Sequence, residues 1–324
     1  MSLWQRRMIS LARSEPVKRL MQRIGGASAL AGRFVVVGDP ETAVVRARQL
    51  HDRLGISASL FYLGEYVSDP ALVDRSVETT ITAARLLGAG GLDVQVSVDP
   101  TAIGHLASPA VCRESAQRIA RAVAAQPAVA RSFLMLDMED LALVEPTLRL
   151  HRDLHAQGLP VAVTLQARLR RTARDLAALV RQPTAIRLVK GAFPLGPEHD
   201  HQGKGAIDRS YLSLARTMLA PEAREAGLRP VFATHDDRLI RRIAALATEM
   251  GWQKQEYEFE MLYGVRRGWQ RRLRAEGFSV RLYLPFGSDW WPYAVRRVGE
   301  HPGNALLLAR TLVSGERFHS APSR

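Results

Sequence analysis

Eight short apolar runs in this chain each end on a polar or charged position. These positions are Glu65, Asp99, Asp137 with Glu139, Gln166, Lys190, His235 with Asp236, Glu260 and Tyr283. A structural protein has little reason to gather carboxylates, a lysine and a histidine at strand ends, whereas an enzyme has. Arg187 adds to this set. It lies inside Ala185-Ile-Arg-Leu-Val189, where alternation sends Ile186 and Leu188 to one side and Arg187 to the other. A buried guanidinium is costly unless it is paired or touches an anion. Asp137 is its candidate partner, and a purely structural ion pair is the alternative.

A further group of reactive types comes near the end of the chain. A strand from Ser279 is expected to break at Pro285 to Gly287. Ser288 or Asp289 can then cap a helix with Pro292 in its first turn. On that helix Trp291, Ala294, Val295 and Val298 share one face, and Tyr293, Arg296, Arg297 and Glu300 share another. Two adjacent guanidiniums beside a tyrosine suit a carboxylate or a phosphate. A solvated basic stripe is the plainer reading of the same pattern. The loop cluster His199-Asp-His201 lacks a third ligand at helical or strand spacing, so it reads as a solvated loop and no metal site is expected.

The elements that position these groups follow a strict rhythm. The runs begin with Ser57–Leu63, Leu92–Val98, Ser132–Leu136 and Pro160–Leu165. They continue with Ala185–Val189, Pro230–Thr234, Tyr257–Leu262 and Ser279–Leu284. Segments with helical spacing lie between them, among them Thr79–Leu87, Ser115–Ala124, Glu145–Gln157, Thr172–Val180 and Arg238–Glu249. Strict alternation means parallel pairing with right-handed crossovers, and eight such units predict a closed α/β barrel of the (β/α)8 kind. An open doubly wound sheet is the runner-up, but the chain lacks both the G-x-G-x-x-G fingerprint and a P-loop. Residues 1–55 read as an N-terminal helical arm, including a helix over Pro40–Leu54 closed by Gly55. Residues 56–312 form the barrel and 313–324 a tail.

Bulk properties bound the function classes. The net charge is +13, yet the only lysines are Lys18, Lys190, Lys204 and Lys254. The arginines are scattered over helices and few aromatics interleave with them, which argues against nucleic acid. The single cysteine, Cys112, leaves no intramolecular disulfide and no Cys-rich zinc site. No apolar run approaches the roughly 20 residues that span a bilayer. Arg6, Arg7 and Arg13 interrupt any signal-peptide core. A cytoplasmic protein is expected. Its basic segment around Val17, Leu20, Met21 and Ile24 offers a peripheral contact with an anionic inner membrane face.

Seven stretches together resemble the proline dehydrogenases. They are Leu63-Gly-Glu65, Leu136-Asp-Met-Glu-Asp140, Leu165-Gln-Ala-Arg-Leu-Arg-Arg-Thr172, Arg187-Leu-Val-Lys-Gly-Ala-Phe193, Phe232-Ala-Thr-His-Asp236, Glu258-Phe-Glu-Met-Leu-Tyr-Gly264, and the segment from Arg281 through Asn304. They keep the family's order over residues 57 to 310. The resemblance implies a distorted barrel that carries FAD across its mouth. It also implies oxidation of L-proline to 1-pyrroline-5-carboxylate by hydride transfer to the flavin, with quinone or another acceptor taking the electrons. It places Arg187 near the reactive edge of the ring and Gln166 on the ring. Lys190, Gly191, Ala192, Thr234 and His235 fall on the rest of the cofactor. Asp137 matches the acidic active-site residue. Arg296 and Arg297 match the pair that grips the substrate carboxylate, with Glu300 behind them. Tyr283, Tyr293 and Leu262 match residues that enclose the substrate ring.

Three positions depart from the family pattern: Asp99 stands where a lysine is usual, and Arg168 and Phe193 stand where tyrosines are. Asp99 therefore joins the substrate-facing candidates. The departures leave open a divergent relative that acts on another cyclic amino or imino acid, or one of low activity.

Overall fold

The computed structural model describes residues 32–64, 67–127, 131–191, 196–290 and 293. Eight parallel strands close into a barrel in sequence order, β1 pairing with both β2 and β8. The strands are β1 (Ser57–Tyr62), β2 (Gln95–Val98), β3 (Phe133–Leu136) and β4 (Val161–Gln166), followed by β5 (Ala185–Val189), β6 (Arg229–Ala233), β7 (Glu258–Leu262) and β8 (Ser279–Phe286). The helices among the described residues are α1 (Pro40–Leu54), α2 (Pro70–Ala89), α3 (Pro109–Ala124), α4 (Leu141–His155) and α5 (Thr172–Leu179). After them come α6 (Lys204–Met218), α7 (Pro221–Glu225), α8 (Asp237–Glu249) and α9 (Arg267–Ala275).

Local chemistry starts and stops these helices where the sequence says it should. Asp39, Asp69 and Ser108 each precede a proline at the first helical position, and each accepts a backbone N–H with its side chain. Asp236 caps α8 in the same way. Gly55 closes α1 in the left-handed conformation, as expected. Helix α1 packs on β1 and α2 and belongs to the outer helical layer.

Alternation along the strands divides the interior into two parts. Leu60, Val96, Leu134, Val163, Ile186, Phe232, Phe259 and Leu282 are all fully buried between barrel and helices. Each such side chain contributes about 1.5–3 kcal/mol by leaving water. The opposite face of the strands fills the barrel. Phe133, Met135, Ala162 and Ala185 form a small apolar plug there, while the other inward positions are largely polar.

One boundary differs from expectation. Strand β8 does not break at Pro285 but continues to Phe286, opposite Phe61 and Tyr62 of β1. Proline lacks a donor, yet here only its carbonyl is needed, and it accepts from Val36 N at 2.9 Å. Val36 in turn pairs with Phe286, so residues 33–37 lie along the barrel rim. Gly264 makes room for them: a Cβ at this position would stand 1.8 Å from the Arg33 carbonyl oxygen.

Candidate active site

The C-terminal ends of the strands surround a cleft of about 600 Å³. Arg187 projects inward from β5 beneath it and is 3% exposed. Each of its three guanidinium nitrogens has a partner. Nη1 donates to Asp137 Oδ1 at 2.5 Å, and Nε and Nη2 fork onto the Glu260 carboxylate. Nη2 also reaches Ser97 Oγ at 3.0 Å and Ser59 Oγ at 3.3 Å. Burial works against the charge, but Glu260 and Asp137 more than offset it, so the guanidinium pKa is raised. Burial pushes the Glu260 carboxyl up, and Arg187 pulls against that.

Asp137 is equally constrained. Besides Arg187, Thr164 Oγ1 donates to its Oδ1 at 3.0 Å, and the Tyr283 hydroxyl donates to its Oδ2 at 2.9 Å. The Tyr283 ring lies 5.1 Å from the Arg187 guanidinium and 5.2 Å from the Phe61 ring. Burial first, then the carboxylates of Asp137 and Asp99, push the Tyr283 phenol well above its usual range. It therefore stays a donor.

The second wall of the cleft follows β4 and β5. Gln166 Nε2 donates to the Glu139 carbonyl at 2.8 Å, which ties this amide to the loop after β3. Gly191 has φ +97°, and a Cβ there would stand 2.8 Å from Gln166 Oε1. The Gln166 side chain is the nearest protein group to the open side of Gly191.

Lys190 contacts Asp208 at 2.7 Å and Asp236 at 3.1 Å, and Lys204 contacts the same two carboxylates. Burial opposes the Asp236 charge, yet the two lysines hold its carboxyl well below the usual range. His235 Nε2 accepts from Leu262 N at 3.2 Å, which leaves the proton of the neutral ring on Nδ1. Thr234 Oγ1 accepts from Asp236 N and stands beside it on the rim.

The structure thus brings together Asp99, Asp137, Gln166, Arg187, Lys190, Gly191, Thr234, His235, Leu262, Tyr283 and Tyr293 around one cleft. Glu65, Ala192, Arg296, Arg297 and Glu300 lie outside the described residues. Ser59, Ser97 and Thr164 were missed by sequence reasoning. Their signal was available: each shares the strand face of Arg187, where Ser59 and Ser97 offer short acceptor hydroxyls to the cation and Thr164 donates to its partner Asp137.

The His199–His201 loop differs from the solvated reading at its centre. Asp200 is fully buried and faces Arg168 at 3.6 Å. The short bridge between Leu169 and Asp200 draws it inward. A second cleft, of about 450 Å³ between α4 and α5, is lined by mutually satisfied ion pairs of Arg171 with Glu145 and Asp175. It lies away from the strand ends and contains none of the groups above.

Comparisons with known proteins point the same way. Residues 43–309 match the family model described as proline dehydrogenase. The chain is 33% identical over 288 residues to the proline dehydrogenase of Deinococcus radiodurans, covering 88% of this chain and 91% of that one. Proline dehydrogenase 1 of Bacillus subtilis subsp. natto is 31% identical over 284 residues, with 88% and 91% covered. Among solved structures, proline utilization A from Bdellovibrio bacteriovorus, inactivated by N-propargylglycine, superposes with a TM-score of 0.77 at 20% identity. The match covers 90% of this chain and 34% of that one. The protein of the same name from Corynebacterium freiburgense gives 0.72 at 22% identity, with 99% and 36% covered. This chain therefore spans about a third of those larger proteins, and at such identities the likeness speaks for the fold.

Proposed function

This chain belongs to the proline dehydrogenase family, and from that premise we propose that it oxidises L-proline to 1-pyrroline-5-carboxylate with FAD held across the barrel mouth. The observation that carries the reading is the cleft itself. At its base a guanidinium is fixed by two carboxylates, and on its wall lies a glycine–glutamine cradle.

The residues present suit the cofactor. Gln166 has committed its Nε2 to protein carbonyls and turns Oε1, an acceptor, toward Gly191. His235 carries a donor at Nδ1, and Lys190 adds a cation on the same side. Met138, Val189 and Leu262 supply the apolar surface that a flat aromatic ring needs. Gln166, Lys190, Gly191, Thr234 and His235 would hold FAD, as would Ala192. When bound, FAD supplies the two-electron acceptor for the hydride that leaves the substrate ring carbon.

The work of the chain is positioning and electrostatics. Arg187 keeps a permanent positive charge under the cleft, preorganised because each of its three nitrogens is held by a protein acceptor. Asp137 orients both Arg187 and the Tyr283 hydroxyl. Tyr283, Tyr293 and Leu262 line the space for the substrate ring and exclude water from it. Arg296 and Arg297 are proposed to grip the substrate carboxylate bidentately, with Glu300 steadying them.

The test is the visible spectrum of the purified, FAD-loaded protein under anaerobic conditions. L-Proline should bleach the flavin bands. A protein that takes up no FAD, or whose flavin stays oxidised with proline, would rule the reading out. Electrons are then proposed to pass from the flavin to quinone or another acceptor, with the basic segment 1–26 holding the protein at an anionic membrane surface. No helix among the described residues is long and apolar enough to cross a membrane. Binding to anionic vesicles should weaken with added salt, and binding that survives both salt and removal of residues 1–26 would end that proposal.

A further inference from the structure

Helix α6 is fastened to the ends of β4 and β5 by three side chains that follow one another closely in sequence. Ser210 Oγ donates to the Ala167 carbonyl at 2.8 Å, and the fully buried Tyr211 donates its hydroxyl to the Leu188 carbonyl at 2.7 Å. Asp208 makes the third attachment, an ion pair from its Oδ1 to Lys190 Nζ at 2.7 Å. Ala167 directly follows Gln166, and Leu188 and Lys190 lead into Gly191. All three contacts therefore fall on the two segments that build the glycine–glutamine cradle. Ser210 and Tyr211 fix backbone, as a structural helix would. Asp208 differs: it lies outside the cleft lining, yet it holds a side chain that lines it.

Lys190 needs such a hold. Its ammonium rides on a four-carbon stem of high rotamer entropy, so a ligand that had to order it would bind more weakly. The protein orders it beforehand. Asp236 Oδ2 stands 3.1 Å from Nζ, and Asp236 is itself held because its Oδ1 accepts from Arg238 N and Leu239 N at the start of α8. Asp208 supplies the second anchor from α6. An ammonium has three donors, so two anchors leave one for a ligand. The charge of Asp208 is balanced within its own helix: its Oδ2 accepts from Lys204 Nζ at 2.6 Å, and Lys204 is 73% exposed. Lys204 and Asp208 form an i, i+4 pair, and removing both together leaves the net charge beside the cleft unchanged.

We propose that Asp208 is a positioning residue of the cofactor site. It acts through Lys190, presetting that ammonium for the anionic cofactor, while Lys204 offsets its charge. This rests on the reading of FAD binding given above, and it adds to that reading a residue from outside the cleft.

The test is a double-mutant cycle on FAD affinity, measured by titrating the flavin-free full chain with FAD and following flavin fluorescence. The charge-neutral combination of Lys204→Gln with Asp208→Ala should raise the dissociation constant by roughly tenfold, because each binding event must then order a freed lysine. Lys204→Gln alone, a change at an exposed ion pair, should stay within about threefold of wild type. In a Lys190→Met chain the same combination should shift the affinity by less than about twofold relative to Lys190→Met alone, because the group it acts through is gone. Lys204→Gln with Asp208→Asn carries the same comparison if the alanine variant does not fold. A purely structural role would lower the urea midpoint and weaken FAD by the same factor in both backgrounds. That result, or a charge-neutral variant that binds FAD as tightly as wild type, would overturn the proposal. A wild-type chain that takes up no FAD would end the reading of function and this inference together, whereas normal uptake with an uncoupled cycle ends this inference alone.

Discussion

Two arginines lie inside the same barrel, and they are built alike. Arg187 on β5 and Arg281 on β8 are both buried, both held by two carboxylates, and both have a raised pKa because those carboxylates offset the cost of burial. Strand β7 serves each with a glutamate two residues apart, Glu260 for Arg187 and Glu258 for Arg281. Their surroundings differ. Arg281 spends its remaining donors on the Ala58 carbonyl at 2.8 Å and on Asp93 at 2.7 Å, and Arg131 closes the cluster from the other side of Glu258. These contacts lie at the starts of the strands, the face of such barrels that carries stability. Arg187 meets hydroxyls and Asp137 under a cleft at the strand ends. Burial, charge pairing and a shifted pKa are therefore shared by both clusters. What marks the upper one as the candidate site is the space next to it.

The largest effects should come from removing each cation in turn. Arg187→Met leaves Glu260 and Asp137 without their partner and should cost about 3–5 kcal/mol of stability. It should also lower proline-driven flavin reduction by at least about 10³-fold. Arg281→Met should cost a similar 3–5 kcal/mol, yet leave the rate per folded molecule within about threefold, because distant sites act independently. Adding Glu258→Leu to Arg281→Met should return most of the lost stability, since an apolar pair replaces an ionic one. Urea unfolding and stopped-flow flavin reduction on the same samples check both halves. A folded Arg281→Met protein as inactive as Arg187→Met would erase the distinction between floor and mouth.

That distinction also measures what the sequence could reveal. The inward turn of Arg187 was legible because its strand is short, apolar and regular, and Asp137 was its named partner. Arg281 obeys the same alternation beside Tyr283. Its partners come from the segment before β2 and the start of β7, so no local spacing joins Arg281 to Asp93 or Glu258. The extension of β8 through Pro285 was hidden for a related reason. It depends on residues 33–37, whose pairing with the rim leaves no periodic trace. The polar strand ends were readable one by one. The lateral bonds that turn them into a site, such as Glu139 to Thr101 or Thr164 to Asp137, needed the closed barrel.

A smaller effect should separate the two ends by acid. His151 on α4 is buried against Thr184, just ahead of β5, with its Nε2 3.0 Å from the hydroxyl. Burial first, then His155 and Arg152, lower its pKa from 6.5 to about 4. The folded ring stays neutral while the unfolded one gains a proton below 6.5, so stability falls as pH drops from 6.5 towards 4 and the loss levels off below that. The full loss is at most about 3 kcal/mol. Unfolding curves across this window should show the slope in the wild type and a flatter profile in His151→Gln. The Tyr283→Phe protein, altered only at the mouth, should keep the wild-type slope. A steep profile that survives in His151→Gln would place the acid sensitivity elsewhere.

The smallest effect tests how the mouth is held. Tyr283→Phe keeps the ring over Arg187 and against Phe61, and removes only the hydroxyl that donates to Asp137 Oδ2. Asp137 retains Arg187 and Thr164 on its other oxygen, and its side chain is 14% exposed, so water can reach it. The stability cost should therefore be about 1 kcal/mol, at the low end for a bond to a charged acceptor. If the hydroxyl also fixes the carboxylate during reaction, flavin reduction should slow by up to about tenfold. Among the described residues the Arg281 cluster has no counterpart to this aromatic donor. An unchanged rate in a stable Tyr283→Phe protein would mean that Arg187 and Thr164 alone orient Asp137. The phenol would then serve only as a wall of the cleft.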